Sequence, residues 1–178
     1  MSGGLYFSGL ILVKSTNAGV SWTTVATDFS QRHFTSLAVD PNNSNTIYAA
    51  LTGENTSTAG GILKSTDGGA SFSPLPLPAT GSMHHVVWLT HHPNTSNVFF
   101  FAEEASSGVW KVSMTADGGQ TWSVLSTGLL SNNKINQLKF KGNLSAVENP
   151  QFLYAATDNG IYKMSLNVTL NYTTYANW

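Results

Sequence analysis

Cysteine is absent from the 178-residue chain, which excludes a disulfide framework, a zinc–thiolate site and a cysteine nucleophile. Charge is scarce as well: Asp, Glu, Lys and Arg together make up 10%, against roughly a quarter in an average globular domain. Eight basic residues stand against nine acidic ones, a formal net charge of -1. That balance offers no basic face to displace counterions, so nucleic acid is excluded as a partner. No apolar run approaches the roughly 18 residues of a membrane span, and none is expected. The start, Met1-Ser2-Gly3-Gly4, lacks the basic segment and apolar stretch of a secretory leader, which leaves a cytoplasmic chain or a mature or partial segment of a longer precursor.

What is present points to a packed β protein. Hydrophobic residues reach 41%, with Phe 9, Tyr 6 and Trp 5, enough to build a core and to argue against disorder. The polar surface must come from Ser, Thr, Asn and Gly, a composition typical of secreted β proteins. Asn-x-Ser/Thr sequons at Asn42, Asn55, Asn94, Asn143, Asn167 and Asn171 add to an expectation of an extracellular glycoprotein.

Internal repetition decides the architecture. Ser15-Thr16-Asn17-Ala18-Gly19-Val20-Ser21-Trp22 aligns with Ser65-Thr66-Asp67-Gly68-Gly69-Ala70-Ser71-Phe72 and with Thr115-Ala116-Asp117-Gly118-Gly119-Gln120-Thr121-Trp122. Gly19, Gly69 and Gly119 thus recur at one fixed spacing. A second element, Leu37-Ala38-Val39-Asp40-Pro41-Asn42, recurs as Leu89-Thr90-His91-His92-Pro93-Asn94, and more loosely from Leu138 to Asn143. A third, Gly61-Ile62-Leu63-Lys64, recurs at 108–111 and 160–163.

Each repeat holds four short runs rich in Val, Ile, Leu and aromatics, bounded by Gly, Asn, Asp or Pro. Four antiparallel strands per 40–50 residues or so make one β-propeller blade. With strands named A to D from the channel outward, A falls at 34–39, 86–91 and 135–140, and B at 46–51, 97–102 and 152–157. Strand C falls at 62–66, 109–114 and 161–165, and D at 70–75, 120–125 and 171–176. Residues 5–8, 10–15 and 20–25 supply B, C and D of an earlier blade. The expectation is an all-β chain, 1–178 forming a single propeller segment of about 3.75 blades, bounded near 1–29, 30–78, 79–128 and 129–178. Both open ends would expose sheet surface. The missing blades are expected from the rest of a longer chain or from another subunit, with a closed four-bladed ring as the alternative.

The Ser/Thr-x-Asp-x-Gly-x-Thr/Ser-Trp/Phe pattern resembles the Asp-box of bacterial neuraminidase repeats. The whole repeat is most similar to blades of the xyloglucanase family of glycoside hydrolases (family 74). Sortilin-type receptor propellers and photosystem assembly-factor propellers carry similar repeats. The resemblance covers nearly the whole chain and implies fold far more than activity. In those families the boxes lie away from the catalytic face, so it implies a structural role for Asn17, Gly19, Trp22, Asp67, Gly69, Phe72, Asp117, Gly119 and Trp122. The chemistry agrees. Asp67 and Asp117 can accept backbone N–H groups in the C–D turn, a buried turn bond, and Asn17 can do the same. Gly69 and Gly119 supply positive φ, and the aromatics start strand D.

A–B and C–D turns share one face of the disc, and D–A and B–C loops the other, around the channel mouth. Arg32-His33, His84-His85 and Asn133-Lys134 occupy the start of strand A in successive blades. Arg32, His33, His84, His85 and Lys134 are therefore the candidate ligand-binding residues. Imidazole and polar groups beside aromatics suit sugar hydroxyls better than phosphates. A glycosidase needs two carboxyls, about 5 Å or about 6.5–9.5 Å apart. Setting aside Asp40, Asp67 and Asp117 in turns leaves Asp28, Glu54, Glu103, Glu104, Glu148 and Asp158. None lies in a motif matching the family's catalytic acids, and Glu103-Glu104 reads as a solvated loop pair. A sialidase would want an arginine triad, and Arg32 is alone. The adjacent pairs His84/His85 and His91/His92 face opposite ways on a strand, so no metal site is expected, nor any cofactor. The expected function is a non-catalytic extracellular module holding a glycan or protein partner. The alternative is part of a xyloglucanase-like hydrolase.

Overall fold

The computed structural model describes residues 5–8, 11–27, 32–53, 60–78, 85–93, 95–125, 128, 132–141 and 151–166. Fourteen strands and no α-helix occur among them. Blade 1 comprises β1 (Leu5–Ser8), β2 (Ile11–Lys14) and β3 (Thr23–Thr27). Blade 2 comprises β4 (Arg32–Asp40), β5 (Asn43–Gly53), β6 (Gly61–Ser65) and β7 (Ser73–Pro74). Blade 3 comprises β8 (His85–His91), β9 (Phe99–Ser106), β10 (Val109–Thr115) and β11 (Ser123–Val124). Blade 4 comprises β12 (Ile135–Lys141), β13 (Gln151–Thr157) and β14 (Gly160–Leu166). All pairings are antiparallel between sequence neighbours, so each blade is a meander and the chain is a partial β-propeller. The expected last strand, 171–176, lies outside the described residues.

The A strands stand where the repeats place them, B of blade 3 runs on to Ser106, and D is short in blades 2 and 3. In blade 2 pairing runs through Ser73↔Lys64 and Pro74↔Leu63, and the Leu75 N–H still donates to the Ile62 carbonyl (2.9 Å), so the prolines at 74 and 76 turn their donor-less nitrogens to the outer edge. Proline at an outer edge also blocks further strand addition. Phe72 and Trp122 sit just before strand D rather than starting it.

In blades 2 and 3 strand B is apolar without alternation because both its faces are covered. Ala49, Leu51 and Leu63 pack with Leu12 between blades 1 and 2. Tyr48, Ala50 and Ile62 pack with Phe99, Phe101, Val86 and Leu89 between blades 2 and 3. Phe100, Ala102, Val112 and Met114 meet Leu138, Phe140, Leu153 and Met164 between blades 3 and 4. Size is matched across the seam between blades 2 and 3: Ala50 of β5 leaves room for Phe99 and Phe101 of β9, with the Tyr48 and Phe99 rings 4.2 Å apart.

The A strands also bond to one another. The Thr35 hydroxyl donates to the Val86 carbonyl (2.5 Å), and the Leu89 N–H donates to the buried Ser36 hydroxyl (3.0 Å). Farther along the seam, Ser96 donates to Asp40 Oδ1 (2.9 Å) and accepts from the Asn42 amide (3.1 Å).

Candidate functional site

The two ends of the blades have different chemistry. At one end the C–D turns share a construction. The Ser65 hydroxyl donates to Asp67 Oδ1 and accepts from the Gly69 N–H, both at 2.8 Å. Asp67 accepts the Ser71 N–H (2.9 Å) and hydroxyl (2.5 Å). In blade 3, Thr115 donates to Asp117 and accepts from Gly119 N–H, again at 2.8 Å, and Asp117 accepts the N–H groups of Gln120 and Thr121 (2.9 Å each). Blade 1 uses Ser15 and Asn17 the same way, with Ser21 N–H donating to Asn17 Oδ1 at 2.9 Å. The Asn17 amide then donates to Ser21 Oγ (2.8 Å), reversing that bond's direction.

Gly69 and Gly119 have φ of +96° and +95°. At Gly119 an added Cβ would lie 2.5 Å from Leu75 Cδ1 of the preceding blade, so glycine is needed there for space as well as conformation. The turns are bolted to the A–B corners of their own blades, Gly68 N–H to Asn45 O and Gly118 N–H to Asn97 O, each 2.9 Å. From blade 1, Lys14 Nζ reaches across to the Gly68 carbonyl (2.9 Å).

One expectation needs correction. Asp67 and Asp117 are exposed, not parties to a wholly buried bond. The buried members are Ser15, Ser65 and Thr115, at 0%, 1% and 1% exposure. Their signal was present in the sequence as a hydroxyl opening all three copies. Hydrogen bonding from the Ser71 hydroxyl and N–H, and from Ser65, holds Asp67 below the usual carboxylate range. Burial raises the Asp117 pKa, but bonds from Thr121, Thr115 and Gln120 outweigh it and hold it at about 2. Both acids are permanent acceptors and poor proton donors.

The opposite end carries the candidate ligand-binding residues. Arg32 and His33 open β4, His85 opens β8, and Lys134 immediately precedes β12. They occupy matching places in successive blades; His84 lies outside the described residues. His33 and Lys134 are exposed, and His85 is half-buried with no partner for its Nε2. In blade 4 an amide cluster lines this end. Buried Asn133 donates to the Tyr162 hydroxyl (2.8 Å) and accepts from Asn159 Nδ2. Asn136 donates to Asp158 Oδ1 (2.7 Å), and Asp158 N–H donates to Lys134 O (3.2 Å). That last bond ties a B–C turn to a D–A loop.

The acidic pair also departs from expectation. Glu103 and Glu104 lie within β9, not in a loop, because the β9–β10 hairpin stays paired as far as Ser106↔Val109. Glu103 is 0% exposed and stands opposite Lys111 in register. Glu104 Oε1 accepts the Gly108 N–H (2.7 Å) at the hairpin turn. Asp28, Glu54 and Glu148 lie outside the described residues.

His91 and His92 do face opposite ways. His92 packs on Phe140 of blade 4 (4.7 Å), and His91 lies 6.0 Å from the Tyr48 ring of blade 2. His91 Nδ1 is 2.8 Å from the His92 carbonyl, which can only accept, so Nδ1 carries a proton. Burial lowers the His91 pKa and, with Asp40 nearby, pushes the Tyr48 hydroxyl up to about 12.

The family model described as sortilin, neurotensin receptor 3 (Sortilin-Vps10) matches residues 11–177. A curated xyloglucanase of Hypocrea jecorina (strain QM6a) is 31% identical over 125 residues, covering 62% of this chain and 15% of the relative. An ancestral GH74 enzyme superposes with a TM-score of 0.66 at 21% identity, over 96% of this chain and 22% of its own. YCF48 bound to D1 peptide superposes with a TM-score of 0.59 at 18% identity, over 98% of this chain and 50% of its own. The chain thus spans only a fraction of the length of each. The two structural likenesses carry the fold alone.

Proposed function

Since the chain belongs to the Sortilin-Vps10 family, we infer that it is an extracellular β-propeller module that holds a glycan or protein partner without catalysing a reaction. The observation that carries this reading is the division of labour between the blade ends. Asp40, Asp67 and Asp117 are engaged in turns at one end. The other end carries exposed His33 and Lys134 and half-buried His85 at matching places in blades 2, 3 and 4, with exposed Asn136 and Asn159 in blade 4, a set of imidazole, amide and ammonium groups. Such groups match sugar hydroxyls. Glu103 is fully buried, Glu104 is tied to its own hairpin and Asp158 to Asn136, so these described acids do not stand ready as an acid and a nucleophile.

The identity to a xyloglucanase favours xyloglucan as the first glycan to test. It also supports a second reading, in which this segment belongs to a hydrolase whose catalytic acids come from outside the described residues. Isothermal titration with xyloglucan oligosaccharides, run beside a reducing-sugar assay, separates the two. Binding without sugar release, weakened by His33→Ala/His85→Ala/Lys134→Ala, is expected. Sugar release by the 178-residue chain would establish the hydrolase reading. Binding left intact by the triple variant would move the site off this end.

A further inference from the structure

The seam between blades 2 and 3 holds polar groups that neither the turns nor the candidate site employ. Asp40 ends β4 and His91 ends β8, at the far ends of the A strands whose first residues include His33 and His85. Tyr48 of β5 is fully buried beside His91, their ring centroids 6.0 Å apart, and the Phe99 ring lies 6.1 Å from His91. Tyr48 Oη and His91 Nε2 are both shut off from solvent, and neither has a hydrogen-bond partner.

Neighbouring groups fix where His91 carries its proton. Nδ1 donates to the His92 carbonyl (2.8 Å), so the neutral ring leaves Nε2 bare. A second proton there would bury a charge beside the rings of Tyr48 and Phe99, and burial holds the imidazole pKa below its ordinary value. Asp40 is the group that favours the extra proton. Its Oδ1 already accepts the Asn42 N–H and the Ser96 hydroxyl of blade 3, at 2.9 Å each. Lys64 of β6 places Nζ 5.4 Å from the Tyr48 ring, a positive charge that opposes another nearby. From β9 the facing residue is Phe99, and His92 turns away onto Phe140.

We propose that His91 is a proton-operated latch on the seam between blades 2 and 3. Neutral, it packs against Tyr48 and Phe99 and leaves Asp40 to hold Asn42 and Ser96. Protonated, its Nε2–H competes for Asp40 and needs solvent, so the two blades part at this corner. The latch belongs to the seam rather than to one blade, because His91 packs on Tyr48 of blade 2 and Asp40 bonds Ser96 of blade 3. A histidine with a lower pKa folded than unfolded contributes stability that is complete above the unfolded value near 6.5. That stability is lost as pH falls through the folded value. Asp67 and Asp117 begin to act only below about 4, so the onset near 6.5 belongs to the latch.

Imidazole nitrogen-15 NMR of the wild-type chain tests the first half of this. Neutral His91 should carry its proton on Nδ1 and should titrate below about 6.5. Hydrogen exchange, corrected for intrinsic rates, tests the second. The Leu89 N–H donates across the seam to Ser36 of blade 2. Its protection should fall by up to about tenfold per pH unit below about 6.5, the slope for one proton. His91→Asn keeps a donor for the His92 carbonyl and does not titrate, so in that variant the fall should vanish. The Gly118 N–H, bonded to Asn97 O inside blade 3, should lose less protection than Leu89. A neutral His91 protonated on Nε2, or a titration at or above about 6.5, would overturn the proposal. So would a Leu89 pH dependence shared by both chains, or an equal loss at Gly118. The NMR measurement uses the unaltered chain, so it decides the matter if His91→Asn does not fold.

Discussion

Thr115→Val isolates the bond that holds the blade 3 turn. Valine keeps the volume and branching of threonine and removes only the hydroxyl. That hydroxyl sits at 1% exposure, donates to Asp117 Oδ1 (2.8 Å) and accepts the buried Gly119 N–H (2.8 Å). Asp117 is exposed and can replace the lost donor with water. The Gly119 N–H cannot, because its turn is packed against Leu75. A buried donor left unsatisfied costs about 1–3 kcal/mol, so a loss of about 2 kcal/mol is expected. For a chain of this length each kcal/mol lowers the melting temperature by about 2–4 °C, which gives a fall of about 4–8 °C. Thermal and urea melts of Thr115→Val, Asp117→Asn and the double variant measure it. The serine-or-threonine position should cost more than the aspartate, and the double variant less than the sum, since both belong to one network. A Thr115→Val melt within about 1 °C of wild type, or a larger loss from Asp117→Asn, would refute the assignment of the buried hydroxyl as the turn's anchor.

Gly119→Ala should destabilise through both its left-handed φ and the clash with Leu75, and Leu75→Ala should recover part of that loss in urea titrations; strict additivity would argue against the contact. Leu153→Ala, at a fully buried position between blades 3 and 4, should cost about 2–5 kcal/mol in the same assay. Acid should weaken the fold through the depressed carboxyls of Asp67 and Asp117. Their contribution is complete above the unfolded value near 4 and is lost as pH falls towards 2, so Asp67→Asn/Asp117→Asn should flatten the melting temperature over that window. Asn42 is exposed in the A–B turn of blade 2, and peptide mapping of chain secreted from a glycosylating host should find a glycan there; a bare Asn42 peptide would count against passage through that pathway.

Strand positions were readable because one pattern occurs three times. A single apolar run such as Val98–Ala102 is ambiguous between strand and buried helix. Its alignment with 47–50 and 152–156 removes the ambiguity, since only a four-strand unit repeats at that period. What resisted reading was strand length at the blade edges. Strands β7 and β11 stop after two residues, and the hairpin to β10 carries β9 past Ala102, where loop composition suggests a break. Both outcomes depend on which backbone groups find partners across a sheet, and side-chain type reports that only indirectly.

The candidate sites divide along the same line. Local geometry is legible: Asp67 and Asp117 cap their own turn, and the spacing of the box alone predicts it. Burial is not local. The loop reading of Glu103 failed because its environment is set by β8 and β10, residues near in space but not in its immediate sequence. Nothing local marks Ser65 and Thr115 as buried, although a hydroxyl opens all three copies of the box, because a hydroxyl at a turn is ordinarily a solvated one. Ile62 and Ile161 share one motif and differ in exposure from 1% to 77%, and the whole difference is the presence of a neighbouring blade. In a repeat protein, then, the residue that breaks the burial pattern of its siblings marks where the array expects its next contact.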